Sequence, residues 1–139
     1  VVLDVRRFDE YNTMSIPTGI SVPGAELVLR VKEIAPNPKT QIIVNCAGRT
    51  RSILGTQSLI NAGIPNPVHA LRNGTIGWKL AGQSLDVGQT RRFTDVGPET
   101  AAEAASANTD NADLNVIVLD PLGLVIAARI LPLTAFHVK

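Results

Sequence analysis

The sequence predicts an α/β domain built around a central parallel sheet. Short aliphatic runs occupy residues 1–5 and 41–45 and, less clearly, 67–71. Continuously apolar runs of this length are typical of strands that are buried on both faces. Helical segments separate them, and an alternation of strands and helices is typical of a parallel sheet. With 139 residues, of which 45% are hydrophobic and 18% charged, the chain is long enough for a packed core and is not of disordered composition.

Each element follows from local signals in the chain. A short helix is expected over residues 9–13, followed by a loop rich in proline and glycine over 16–24. An amphipathic helix is expected over 26–34. It should end there because prolines follow at residues 36 and 38. A third helix is predicted from about 51 to 61, with Gly63 at its C-terminal stop. Its apolar side is expected to comprise Ile53, Leu54, Leu59 and Ile60.

The character of the chain changes after Phe93. Residues 94–113 are rich in alanine and poor in large apolar side chains, which predicts a solvated helix that passes into a linker. Residues 114–139 are again aliphatic and contain the turn signal Asp-Pro-Leu-Gly at 120–123, which predicts a β-hairpin. We therefore divide the chain into a domain at 1–93, a linker at 94–113 and a hairpin-like tail at 114–139.

The distribution of charged and apolar residues indicates which kinds of binding partner to expect. Residues 1–93 carry eleven Lys or Arg against six Asp or Glu, without a basic block, so a small anion is a better candidate partner than a nucleic acid. The apolar runs are shorter than the ~20 residues of a membrane helix, so no membrane interaction is expected. Cys46 is the only cysteine, which excludes an internal disulfide and favours a reducing, cytoplasmic location.

The segment around Cys46 is the strongest functional signal. A predicted strand runs directly into Cys46, and a predicted helix begins near Arg51. In such a turn, successive backbone N–H groups and the helix N-terminus can form an anion-binding nest, and Gly48 gives the backbone the freedom that a tight loop needs. Arg49 and Arg51 add two positive charges. These features favour the thiolate form of Cys46, although many free cysteines are simply small buried hydrophobic residues.

Other reactive side chains carry weaker signals. His69 follows a predicted strand and His137 lies in the tail, and with one cysteine they do not suggest a metal site. A hydrolytic pair of Cys46 with His69 is a minor alternative. Trp78 lies on an apolar helix and is expected to have a structural role rather than to line a pocket.

Three segments, at the expected order and spacing, resemble the rhodanese family of sulfurtransferases. Residues 46–51, CAGRTR, resemble the six-residue loop whose cysteine carries a persulfide. Residues 3–19, LDVRRFDEYNTMSIPTG, resemble the N-terminal signature, with matches at Leu3, Asp4, Val5, Arg6, Glu10, Tyr11, Ile16 and Pro17. Residues 73–85, NGTIGWKLAGQSL, resemble the C-terminal signature, with matches at Gly74, Ile76, Trp78, Ala81 and Gly82.

The resemblance, which covers about residues 1–87, implies a three-layer sandwich of a mostly parallel sheet between helices, followed by a C-terminal extension. It implies a sulfurtransferase without a cofactor, in which Cys46 receives a sulfane sulfur from a small anionic donor such as thiosulfate and passes it to a thiol or cyanide. Ala47, Gly48, Arg49, Thr50 and Arg51 would bind the substrate and the persulfide. Asp4 and Arg6 would support the cysteine loop from the end of the first strand or, alternatively, form only a local ion pair.

The resemblance also has departures and alternatives. Met14 and Ser15 replace the Gly-His that many members have, and the usual helix and strand before the first signature are absent, so an N-terminal piece of the domain is expected to be missing. Further rhodanese domains are expected in the parent chain, because tandem members join their domains with such linkers. Some rhodanese-like domains are non-catalytic binding modules, but these commonly lack the cysteine. Cysteine-dependent phosphatases have a similar cradle with five residues between cysteine and arginine, whereas here Arg51 arrives one position earlier.

Overall fold

A computed structural model describes residues 1–93 and the backbone of two short strands at 116–118 and 125–127. The predicted α/β class is confirmed, because four parallel strands form one sheet in the order β2-β1-β3-β4. The strands are β1 (Val2–Asp4), β2 (Ile20–Ser21), β3 (Ile42–Asn45) and β4 (Val68–Ala70). The helices are α1 (Phe8–Thr13), α2 (Leu27–Ile34), α3 (Thr50–Asn61) and α4 (Gly74–Leu80).

The order of the strands places the helices on both faces of the sheet. The chain moves in one direction from β1 to β2 and in the opposite direction from β2 to β3 to β4. Right-handed crossovers therefore place α1 on one face, and α2 and α3 together on the other. β2 was not predicted, because its two residues lie inside the loop expected over 16–24. None of the helices in the described part of the chain is long and apolar enough to cross a bilayer.

The two faces of the sheet differ in polarity. Towards α2 and α3 lies the apolar core, to which β1 and β3 contribute Leu3, Ile42 and Val44. Alternate residues point to the opposite face. There, the paired positions Asp4 and Asn45, with Ser21 of β2 beside Asp4, form a buried polar row at the carboxyl ends of three strands.

Helix α3 buries Leu59 of the predicted apolar side together with small residues, and it leaves both isoleucines of that side exposed. Ile53 and Ile60 are 48% and 53% exposed, whereas Ser52, Gly55, Ser58 and Leu59 are buried. A Cβ atom on Gly55 would lie 3.0 Å from a methyl carbon of Leu27 and 3.1 Å from one of Val44. Close approach of the helix to the sheet therefore decides which side of α3 is buried.

The segment 86–93 closes the domain along β2. The Ser15 and Asp86 backbones exchange two hydrogen bonds of 2.9 and 2.8 Å, and the Ser21 N–H donates to the Arg91 carbonyl at 2.9 Å. Phe93 packs against the apolar core, and the Arg92 guanidinium lies 3.3 Å from the centroid of the Phe8 ring.

The strands near the C-terminus are β5 (Val116–Val118) and β6 (Val125–Ala127), which pair antiparallel in a separate two-stranded sheet. The predicted linker at 94–113 lies outside the described residues. The division of the chain at 93 and 113 stays a prediction.

Candidate active site

Cys46 directly follows β3, at the carboxyl edge of the parallel sheet. This edge is where the binding sites of open α/β sheets lie. The residue is 1% exposed and borders the apolar core, and a short loop leads from it to α3 at Thr50. The thiol therefore lies at the base of the loop.

Helix α4 holds this loop from one side. The Thr75 N–H donates to the Cys46 carbonyl and the Ile76 N–H to the Ala47 carbonyl, both at 2.9 Å. The approach requires glycine at position 74, where φ is +53° and an added Cβ would lie 2.2 Å from the Cys46 carbonyl oxygen. The loop carbonyls therefore face α4.

The N–H groups of the loop face away from α4. In a trans peptide the N–H points opposite to the carbonyl, so the amides of Ala47 and Gly48 are directed away from the α4 bonds. Within residues 1–93, no backbone or side-chain acceptor binds the amides of residues 47–51. The first amides of α3 belong to this set, as expected for a helix N-terminus. The loop thus offers several unused donors to an anion.

Arg51 is fixed by a carboxylate from α1. Its Nη1 and Nη2 atoms donate to Glu10 Oε2 and Oε1 at 2.7 and 2.8 Å. These hydrogen bonds to Arg51 lower the pKa of Glu10 below its ordinary value, while partial burial acts in the opposite direction. The same pair raises the pKa of Arg51. The positive charge of Arg51 is therefore largely compensated within the protein.

Arg49 and Thr50 lie on the surface at the beginning of α3. Both are exposed, and in the described part of the chain neither side chain forms an ion pair or a hydrogen bond. The structure thus brings Cys46 together with the amides of residues 47–51, but it leaves the Arg49 side chain directed by no protein partner. The roles expected for these loop side chains stay predictions.

Asp4 and Arg6 form a buried pair that reaches the cysteine strand through Asn45. Arg6 Nη2 donates to Asp4 Oδ2 at 2.8 Å and to the Met14 carbonyl at 2.7 Å, and the two side chains are 4% and 1% exposed. Asn45 Nδ2 donates to Asp4 Oδ2 at 2.9 Å and to Thr75 Oγ1 at 3.0 Å. The pair is thus linked to both the strand before Cys46 and the helix that holds its loop.

Several contacting residues were not predicted to act in the site. Ser52 Oγ lies 3.5 Å from Cys46 Sγ, Glu10 binds Arg51, and Asn45 and Thr75 join the strand to α4. The only sequence features that could have pointed to them are that Glu10 matches a signature position and that Ser52 directly follows the loop.

The two other side chains weighed for the site, His69 and Trp78, form no hydrogen bond with Cys46 in the described structure. His69 is exposed on β4 beside Ile43 and makes no bond to Cys46. Trp78 is half-buried outside the apolar core, and its Nε1 donates to the Ser84 carbonyl at 2.8 Å. Among residues 1–93 and the two tail strands, no group of three or more His, Cys, Asp or Glu side chains is placed to hold a metal ion.

The chain is similar in sequence and fold to several proteins of known structure. A thiosulfate sulfurtransferase from Pseudomonas aeruginosa is 72% identical, with a TM-score of 0.78, over 81% of this chain and 22% of that one. A Rhodanese_3-like domain from Anabaena sp. is 26% identical, with a TM-score of 0.58, over 66% of this chain and 95% of that one. A possible tyrosine phosphatase from Rhodopseudomonas palustris, 24% identical with a TM-score of 0.56 over 62% of this chain and 70% of that one, shares the fold.

The chain spans only 22% of the length of the Pseudomonas aeruginosa protein. No curated protein sequence matches it significantly. Residues 1–81, well over half of the chain, match the rhodanese-like domain family. These residues contain the whole of the loop after β3 and the helix that holds it. The chain therefore belongs to the rhodanese-like domain family.

Proposed function

We propose that the domain is a sulfurtransferase that moves a sulfane sulfur through a Cys46 persulfide. The donor is thiosulfate or a similar small anion, and the acceptor is a thiol in the cell or cyanide in an assay. The observation that carries the proposal is the position of Cys46 at the start of a loop whose amides at 47–51 have no acceptor in the described structure. The 72% identity to a thiosulfate sulfurtransferase supports it.

The chemistry follows from the loop. The Cys46 thiolate attacks the outer sulfur of the donor, sulfite leaves, and an acceptor later removes that sulfur, which implies ping-pong kinetics. The amides of residues 47–51 would stabilise the negative charge on the outer persulfide sulfur. Cys46 is 1% exposed, which favours a donor whose transferred atom is at a narrow end.

The two arginines of the loop are expected to have different roles, because only one of them is paired with a carboxylate. Glu10 compensates Arg51, so Arg51 would mainly shape the loop and contribute a weaker attraction to the donor. Arg49 has no ion-pair partner in the described residues and would attract the anionic donor from the surface. Asp4 and Arg6 would support the end of β1 beside β3. This reaction requires no cofactor.

Sulfur loading tests the proposal directly. The protein is incubated with thiosulfate, freed of excess donor and treated with cyanide, and thiocyanate is measured. Mass spectrometry should detect a gain of one sulfur atom that dithiothreitol removes. Cys46→Ser should abolish both signals. Ser58→Ala, which alters a buried serine on the same helix, should retain them. Full thiocyanate production by the Cys46→Ser protein would refute the assignment.

A non-catalytic binding or regulatory module of a larger protein is the second candidate. The low exposure of Cys46 favours it, because a buried thiol need not react. A folded wild-type protein that never gains sulfur from thiosulfate would support this alternative. We place either function in the cytoplasm, because a single cysteine suits a reducing compartment. Further rhodanese domains in the parent chain remain part of the proposal.

A further inference from the structure

The buried hydroxyl of Ser52 contacts the sulfur of Cys46. Ser52 is the third residue of α3 and is 0% exposed, and its Oγ lies 3.5 Å from Cys46 Sγ. In the thiol form, the S–H group donates to this hydroxyl oxygen. The contact joins the candidate nucleophile to the helix that follows its loop.

The Ser52 hydroxyl has one proton and two places to direct it. It donates to the Arg49 carbonyl at 2.9 Å, one turn back in the chain. That carbonyl also accepts the Ile53 N–H at 3.2 Å, so it keeps a partner when the hydroxyl rotates away. Hydroxyl hydrogens rotate readily between acceptors. Once Cys46 loses its proton, the hydroxyl can therefore donate to the sulfur at little cost.

The charge on Cys46 Sγ changes during the proposed reaction. When the thiolate attacks thiosulfate, a bond forms to the outer sulfur, the old S–S bond breaks, and its electron pair leaves with sulfite. In the resulting persulfide the negative charge lies on the outer sulfur. When cyanide bonds to that sulfur, the electron pair of the Cys46 S–S bond returns to Sγ, and thiocyanate leaves. Sγ thus loses charge during loading and gains it during delivery.

We propose that Ser52 is a catalytic residue whose hydroxyl donates to the Cys46 thiolate and to the charge that develops on Sγ during sulfur delivery. In the thiol and in the persulfide, the hydroxyl returns to the Arg49 carbonyl. This inference rests on the proposed function and adds a residue to it. The hydroxyl stabilises the thiolate, so it assists delivery and restrains attack by the thiolate.

The charged groups that pair at the site are already compensated within the protein. Arg51 of α3 interacts electrostatically with Cys46, and Glu10 of α1 compensates Arg51. Asp4 and Arg6, at the end of β1, neutralise each other. Replacing Ser52 by alanine removes no charge, so these pairs are retained.

The half-reactions are compared in the full chain of wild type, Ser52→Ala and Ser58→Ala. The Ser58 hydroxyl also donates to a carbonyl of α3, at 2.9 Å, but forms no hydrogen bond with Cys46, so it is the matched control. At a fixed pH of 10, sulfite release reports loading and single-turnover thiocyanate formation reports delivery. For Ser52→Ala we expect delivery to slow about 3- to 10-fold and loading to accelerate by a similar factor. Equal losses in both half-reactions, or no change in either, would overturn the proposal.

Alkylation by iodoacetamide tests the same hydroxyl without sulfur transfer. At pH 6, Ser52→Ala should react about 4- to 15-fold more slowly than wild type, because the thiolate loses the hydrogen bond from the Ser52 hydroxyl. At pH 10 it should react about 3- to 10-fold faster, because the unbonded thiolate is more nucleophilic. Ser58→Ala should match wild type at both values. If wild type takes no sulfur from thiosulfate, the proposed function fails. Separately, alkylation rates of Ser52→Ala that equal those of wild type at both pH values would overturn the role of Ser52.

Discussion

Gly74→Ala should destabilise the protein far more than an alanine at another glycine with positive φ. At Gly74, φ is +53° and the new Cβ would lie 2.2 Å from the Cys46 carbonyl oxygen and 2.9 Å from the Gly48 carbonyl oxygen. Relief of this overlap requires α4 to move away from the loop. The movement breaks the bonds from Thr75 and Ile76, both 2.9 Å long.

The magnitude follows from these separate costs. A side chain in the left-handed region costs about 1 kcal/mol after the lower entropy of the unfolded alanine chain is included. Loss of two backbone hydrogen bonds adds about 1–3 kcal/mol. We therefore expect Gly74→Ala to lower the free energy of unfolding by about 2–4 kcal/mol. A loop displaced by about 1 Å should also lower thiocyanate formation about 100-fold.

Gly82→Ala is the matched control. Its φ is +75°, yet a Cβ there would meet no atom within 4 Å. It should lower the free energy of unfolding by only about 1 kcal/mol and leave thiocyanate formation within about twofold of wild type. Urea unfolding and the cyanide assay measure both effects. Equal losses of stability in the two variants would show that contact between α4 and the loop carbonyls does not govern this position.

Three further predictions concern charges and loop length. Arg51 lowers the pKa of Glu10. We therefore expect wild type to be more stable than Glu10→Gln by at most about 1 kcal/mol, and this difference should be constant above pH 4.5. It should disappear as the pH falls through the lowered pKa of Glu10. Urea unfolding between pH 6 and 3 measures it, and a difference that grows on acidification would contradict it. Asp4→Ala leaves Arg6 buried and unpaired, so it should cost about 3–5 kcal/mol in the same experiment, whereas the exposed Asp9→Ala should cost under about 1 kcal/mol. A glycine inserted after Gly48 should reduce sulfur transfer. The unmodified chain should hydrolyse p-nitrophenyl phosphate far more slowly than about 1 s⁻¹, because we expect a loop one residue shorter than that of the phosphatases to be too tight for a phosphoryl group. Turnover at that rate would refute the loop-size argument.

The sequence was informative where local chemistry determines the structure. Continuous apolar runs located β1, β3 and β4, and the transition from strand to helix located the cysteine loop. At α3 the prediction is right for Leu59 and wrong for Ile53 and Ile60, because small residues such as Gly55 allow the helix to approach the sheet closely through a different side. Hydrophobic periodicity records apolar character but not the distance between packed elements.

Contacts between distant parts of the chain were beyond sequence reasoning. The Glu10 carboxylate meets Arg51 across 41 residues, and the Asn45 amide meets Thr75 across 30. Both pairings depend on the order of the strands, which brings α1 and α4 to the edge where β3 ends. No local pattern around any of these four residues specifies its partner.

The bonds from α4 to the cysteine loop also bear on how the domain matures during synthesis. Thr75 and Ile76 emerge from the ribosome about thirty residues after the Cys46 and Ala47 carbonyls that they bind. A nascent chain that ends before α4 has the cysteine but cannot orient the peptide groups that follow it. The amides of the loop are therefore held in place late, after all four strands of the main sheet have been made. This order delays the orientation of the peptide groups beside Cys46 until the sheet around them is complete.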